Sequence, residues 1–223
     1  MNAPQKTNEN ARGAFIVLEG IDGAGTTTQM GELARIVSSR GREVHVTREP
    51  SDGPIGTMLR LFMRGRISSA TGGPPAEMMA LLFAADRLDH VASEIEPVLA
   101  RGGVVISDRY DASSIAYQSV SSESGATDAV AWIRSLNRSA RRPDLVIVVD
   151  VSSDVALERR TARGGKPELY ERHELQTKLA AFYRDLPTHM PEDTIVVVSG
   201  EGSREEVTAR IVAAVEGALP QLR

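Results

Sequence analysis

The chain has 223 residues and a mass of 24.0 kDa, a size that suits one domain. With 41% hydrophobic and 25% charged residues it can bury a core without staples, which excludes a disordered or collagen-like chain. A net charge of -4 argues against a general nucleic-acid binder, the lack of cysteine removes disulfides and thiolate chemistry, and the longest apolar run, Met78 to Ala85, is far short of the roughly 20 residues of a membrane span. The expectation is a soluble cytoplasmic protein with no nucleic-acid or membrane partner.

Residues 1–12 are polar, lack periodicity and read as a mobile leader to a single domain over 13–223. Ala14 to Leu18 is a short apolar run ending in Glu19 and Gly20, and Thr26 to Ser39 carries Met30, Leu33, Ile36 and Val37 at helical spacing. This predicts strand, glycine-rich loop and helix. Gly41 ends the helix, and Glu43 to Thr47 forms a second strand before Pro50. A helix around Ile55 to Met63, a looser segment from Ser68 to Pro75 and a long helical pattern from Ala76 to Ala100 follow, with Pro97 expected to kink or shorten it.

Val104 to Ser107 is a third strand running straight into Asp108-Arg109-Tyr110, followed by helical stretches at Ser113 to Val120 and Ala126 to Ser139. Leu145 to Val151 is the clearest strand, and Ser152 caps a helix from Asp154 to Arg163. Gly164-Gly165-Lys166-Pro167 then breaks the pattern, which resumes from Glu171 to Leu186; the break, with its flanks at about 159-172, reads as a short lid. Thr194 to Val198 is a fifth strand and Arg204 to Leu219 a closing helix. Five apolar strands alternating with helices predict an α/β fold in three layers, a mostly parallel sheet with helices on both faces.

The segment Gly20-Ile21-Asp22-Gly23-Ala24-Gly25-Thr26-Thr27-Thr28 follows a buried strand and opens a helix, as a phosphate-binding loop does. Glycines let successive N–H groups and the helix N-terminus face an anion. In the pattern G-x-x-x-x-G-K-[ST], both glycines and the hydroxyl of Thr27 are present, but Thr26 stands where lysine belongs. The ammonium that bridges the outer phosphates is therefore absent. Losing such a preorganised donor costs on the order of 10² to 10³ in rate unless another cation substitutes. Lysine occurs only at Lys6, Lys166 and Lys178, so the other 23 of 26 basic residues are arginine, whose planar fork suits phosphate.

Read together, FIVLEGIDGAGTTTQ (Phe15 to Gln29), TREP (Thr47 to Pro50), DRY (Asp108 to Tyr110), SSIAYQ (Ser113 to Gln118) and RPDLVIVVDV (Arg142 to Val151) resemble the thymidylate kinase family, in order and spacing, from about Gly13 to Leu219. The resemblance implies a P-loop nucleoside monophosphate kinase fold, a homodimer, and transfer of the γ-phosphoryl of ATP to dTMP with magnesium. It implies that residues 20–28 hold ATP and that Arg109 reaches the phosphates between donor and acceptor. Asp22 would orient the acceptor phosphate or the metal, and Thr27 and Asp108 would face magnesium. On the acceptor side it implies Arg48, Pro50, Phe83, Arg87, Ser113, Ser114, Tyr117 and Gln118.

Phe83 and Arg87, four apart on a predicted helix, share a face and offer a ring to stack on a base and a fork to hydrogen-bond it. Arg159, Arg160 and Arg163 project from one side of the lid helix, and Arg159 or Arg163, with Arg109, is expected to replace part of the missing lysine. The family lid often has arginine where this chain has Leu169. The four histidines show no metal-ligand spacing and read as surface or structural, and Trp132 reads as a packing residue. Two alternatives stay open beside the dTMP kinase: a kinase for another deoxynucleotide, and a nucleotide-binding protein that lost turnover with the lysine.

Overall fold

The computed structural model describes residues 13–67, 74–121, 126–164 and 173–223. The expected leader and most of the expected lid, residues 165–172, lie outside them. Strands β1 (Ala14–Glu19), β2 (Val44–Arg48), β3 (Val104–Asp108), β4 (Leu145–Asp150) and β5 (Ile195–Ser199) form one sheet in the order β2-β3-β1-β4-β5. Every pairing is parallel, so the sheet is wholly rather than mostly so.

Burial follows position in the sheet. The central strand β1 is buried at every residue, as the unbroken run AFIVLE requires of a strand covered on both faces. The edge strands are more open, leaving Val46 and Val197 exposed. With the right-handed crossovers that parallel strands require, this order gives three layers. Helix α1 (Thr26–Ser39) packs with the last helix, α10 (Arg204–Ala218), on one face. The other face carries the helices joining β2 to β3, β3 to β4 and β4 to β5: α2 (Pro54–Met63), α3 (Ala76–His90), α4 (Glu96–Ala100), α5 (Asp111–Ser121), α6 (Ala126–Leu136), α7 (Ser153–Arg163), α8 (His173–Arg184) and the short α9 (Leu186–His189).

Local chemistry explains the boundaries. Pro97 has no N–H to give the preceding turn, and the chain widens into a π turn over Val91–Ile95 before continuing as α4. The predicted long helix is thus interrupted without being ended. Ser152 Oγ accepts from Val155 N at 3.2 Å and caps α7 as expected. At α10, Ser203 and Glu206 complete a capping box unnoticed in the sequence pattern. Asp144, in the RPD segment, ties β1 to the entry of β4 by accepting from Phe15 N at 2.8 Å.

Because β1 sits between β3 and β4, the loops after β1 and β3 leave the same end of the sheet side by side, with Leu18 paired to Asp108. Open α/β sheets bind ligands at such a switch point. Replacing Ser203 by alanine removes the α10 cap and is expected to lower stability by about 1 kcal/mol, read as a shifted urea midpoint with unchanged slope.

Candidate active site

The loop after β1 folds as a glycine-rich cradle. Gly23 and Gly25 both have φ of 96°, a conformation that side chains rarely adopt. A Cβ on Gly23 would also lie 2.4 Å from the Ala156 carbonyl oxygen, so this position admits α7 against the loop only as glycine. Gly25 begins α1 without a side-chain cap, leaving the first-turn N–H groups open to an anion. Ile21, Gly25, Thr26, Thr27, Arg109 and Arg159 are among the residues lining a cavity of about 290 Å³ there. Thr26 is nearly buried at its edge.

Arg109 lines this cavity from the position just after β3. It is the one non-glycine residue of positive φ among the described residues, at 74°, a conformation that costs on the order of 1 to 3 kcal/mol. Its surroundings hold it there. Arg109 N donates to Leu18 O at 2.9 Å, and Ser107 Oγ donates to Arg109 O at 2.7 Å. The guanidinium bonds Asp22 Oδ1 at 2.6 Å and Ser113 Oγ at 3.1 Å and lies over the Tyr117 ring at 5.3 Å. Burial opposes its charge, but Tyr117, Asp22, Tyr183 and Glu19 outweigh burial and hold it protonated. The strain accordingly serves to aim a fixed cation at the cradle.

Asp22 gathers the rest. Besides Arg109 it accepts from Gln176 Nε2 at 3.1 Å and Tyr117 OH at 3.3 Å, and its own N–H donates to Gln176 Oε1 at 3.1 Å. Tyr117, expected on the acceptor side, therefore also binds the loop aspartate. Thr27 Oγ1 donates to Asp108 Oδ2, while Asp108 Oδ1 is buried with no partner. A hydroxyl and a free carboxylate oxygen at the mouth of a phosphate cradle are hard donors that fit magnesium. Among the described residues no cluster of three histidines or carboxylates offers another metal site.

Two α7 arginines touch the cradle. Arg159 donates to Ala24 O at 3.2 Å and Gly200 O at 3.0 Å, and Arg160 donates to Asp22 O. Arg160, not counted among the expected site residues, is the more buried and retains an unpartnered Nη2. Arg163 ends α7, and its side chain is outside the described ones.

The acceptor-side residues divide. Arg87 is not the surface arginine its helix pattern allows: it is 1% exposed, bonded to Glu49 Oε2 at 2.5 Å, Ser114 Oγ at 3.1 Å and Asn137 Oδ1, and it lies over Tyr110. Phe83 is half-buried one turn before it, and Gln118 is buried with Oε1 unpartnered. Arg48, by contrast, stands exposed at the end of β2, paired to Asp52 at 3.0 Å, and the cis Glu49–Pro50 peptide follows one residue later.

Glu19, Gln176 and Tyr183 escaped the sequence reading. Glu19, fully buried, accepts from Tyr110 N at 2.8 Å, Ser113 N at 3.2 Å, Ser113 Oγ at 2.6 Å and Tyr183 OH at 3.1 Å. An acidic residue closing a buried apolar run was its only signal. Gln176 and Tyr183 come from α8, some 150 residues away in the chain, and nothing local marks them.

The thymidylate kinase family model matches residues 18–211 of this chain. The chain belongs to the thymidylate kinase family. It is 41% identical over 209 residues to a probable thymidylate kinase of Thermococcus gammatolerans, covering 92% of this chain and 96% of that one. A probable thymidylate kinase of Thermococcus onnurineus is 41% identical over 207 residues, covering 91% and 97%. A thymidylate kinase of Pelobacter propionicus is 35% identical over 210 residues, covering 91% and 94%. This thymidylate kinase family member is thus a kinase on a five-stranded parallel α/β scaffold, and among its described residues no helix is long and apolar enough to cross a membrane.

Burial pushes the Glu19 carboxyl up to about 7, although Arg109, Ser113, Tyr110 and Tyr183 each pull it down. The folded state then holds a proton that the unfolded chain releases near 4.5, so this group lowers stability as pH rises from about 4.5 to about 7. Glu19→Gln is expected to remove that slope. Urea midpoints at about pH 5 and pH 8 check it: the wild type should lose up to about 3 kcal/mol more than the variant across the interval.

Proposed function

We propose that the chain transfers the γ-phosphoryl group of ATP to dTMP, giving ADP and dTDP, in the synthesis of nucleotides. The observation that carries this reading is the convergence of Arg109, from β3, and Arg159, from α7, on the glycine-rich cradle after β1. Phosphoryl transfer needs positioning and neutralised charge more than covalent chemistry. The cradle's N–H groups and α1 would hold the donor phosphates, and Arg109, kept charged and aimed by Asp22, would meet the transferring group between donor and acceptor.

Thr27 and Asp108 would hold magnesium, which when bound to the phosphates neutralises charge on their oxygens. The acceptor would lie toward Arg48 and Pro50, with Phe83 stacking on the base, Arg87 and Ser114 reading its edge, and Tyr117, Ser113 and Gln118 along the sugar side. Arg159, already at the cavity rim with Thr26, supports the idea that a lid cation replaces the absent lysine, with Arg163 as its neighbour on α7. Closure of the segment at about 159–172 would bring these guanidiniums onto the β and γ phosphates.

A homodimer belongs to the same reading, supported by Leu81 and Leu88, exposed one heptad apart on α3, and by Met58 and Leu61, exposed on the adjoining α2. Nucleotide substrates support a cytoplasmic setting.

A second reading, a binding protein without turnover, is favoured by one observation: the guanidiniums of Arg159 and Arg160 are engaged with loop carbonyls, and no ammonium stands at Thr26. ADP release with ATP and magnesium, across dTMP, dUMP, dCMP, dGMP and UMP, separates the readings. Selective turnover of dTMP, falling about 10²-fold or more in Arg109→Ala, is expected. Turnover of another deoxynucleotide would change the acceptor. Nucleotide binding without turnover, with activity gained in Thr26→Lys, would establish the binding protein.

A further inference from the structure

His90 lies buried at the end of α3, where β2, the loop after it and the π turn meet. Its two ring nitrogens face different partners. Nδ1 is 3.3 Å from Glu49 Oε1, while Nε2 is 2.7 Å from Thr47 Oγ1 and 3.5 Å from Glu94 Oε2. Thr47 Oγ1 donates to Glu94 Oε2 at 2.9 Å, and His45 Nε2 stands 3.2 Å from the same carboxylate oxygen.

The hydrogens of this cluster can be counted. A threonine hydroxyl has one hydrogen, and here Glu94 takes it, so Thr47 meets His90 with a lone pair and Nε2 must carry a proton. Nδ1 faces a carboxylate oxygen, which only accepts, so it must carry one as well. A neutral imidazole satisfies one of these contacts and an imidazolium satisfies both. The charged groups around the ring are Glu49 from the loop, Glu94 from the π turn, Asp86 and Arg87 on α3, His45 on β2 and Asp52 beyond it. Burial opposes the imidazolium, but Glu49, Glu94 and Asp86 outweigh it and raise the His90 pKa.

Glu49 carries this state inward. Its Oε2 binds Arg87 Nη2 at 2.5 Å, and both side chains are almost wholly buried, at 2% and 1% exposure. We propose that His90, as an imidazolium, is a positioning residue for the acceptor base: it fixes Glu49, and Glu49 fixes the Arg87 guanidinium that reads the pyrimidine. The proposal rests on the acceptor reading above. When His90 loses a proton, either Glu49 Oε1 faces a ring lone pair and the carboxylate that orients Arg87 loses its second anchor, or Glu49 keeps that anchor only if Thr47 abandons Glu94 to donate to Nε2.

The contribution is complete below about pH 6.5 and fades as pH rises through the His90 pKa. The test is calorimetry of dTMP binding to the full chain between about pH 6 and pH 9, with His90→Gln and His45→Gln beside it. The wild type and His45→Gln should lose about three- to tenfold in affinity across that range. His90→Gln should bind weakly with no such step, and kcat at saturating dTMP should change little.

Imidazole ¹⁵N spectra of the wild type read the same state without a variant or turnover: two protonated ring nitrogens on His90 at about pH 6 are expected. One protonated nitrogen, or the same affinity profile in His90→Gln as in the wild type, overturns the proposal while leaving dTMP as the acceptor. Failure of wild type and variants to bind dTMP at any pH overturns the acceptor reading and the proposal together.

Discussion

A buried carboxyl group holds the two halves of the site together. Glu19 ends the central strand immediately before the glycine-rich cradle, and its side chain accepts from groups elsewhere in the chain: Tyr110 in the β3–α5 loop, Ser113 at the start of α5 and Tyr183 of α8. A polar group so deep must be satisfied or it destabilises the fold by about 1 to 3 kcal/mol. Satisfying Glu19 therefore fixes the loop that bears Arg109 against the strand that bears the cradle. The strained backbone of Arg109 is tolerable because its neighbours leave it few alternatives.

The charges follow from that frame. Asp22 balances Arg109, Glu49 balances Arg87, and Glu49 and Glu94 lie within reach of His90, so the site end of the sheet carries cations already matched by carboxylates of the same chain. Such buried pairs add little to stability compared with apolar packing, and their value lies in holding donors in defined directions. Phosphoryl transfer makes that demand, since it rewards donors placed before the charge develops. Thr26 departs from this economy. A lysine there would be flexible and local, whereas Arg109 and Arg159, the cations that line the same cavity as Thr26, are planar forks brought by other elements.

Much of the fold was legible along the chain. The strands announced themselves as aliphatic runs between glycines, because a parallel strand covered on both faces excludes polar side chains. The cradle was legible because phosphate binding by backbone N–H groups requires glycines at fixed spacing. Boundaries moved by one residue at one or both ends of every strand, because pairing with a neighbour rather than side-chain type decides the last residue of a strand. The π turn before Pro97 was foreseeable only as a kink: proline removes a donor, but whether the helix bends, ends or widens depends on what packs around it.

By itself, then, the sequence determined the α/β class, the glycine-rich loop with its threonine, the family and the side-chain types available for charge neutralisation. These depend on local pattern and on motifs short enough to be read in order. Only the tertiary structure decided that Arg87 is a buried, carboxylate-held group, that Asp22 rather than Asp108 pairs with Arg109, and that Glu19, Gln176 and His90 are buried in hydrogen-bonded clusters at this end of the sheet. Each of these depends on contacts between elements far apart in the chain or on burial against several elements at once, and burial turns an ordinary glutamate or histidine into one whose every hydrogen bond must be met from within the protein.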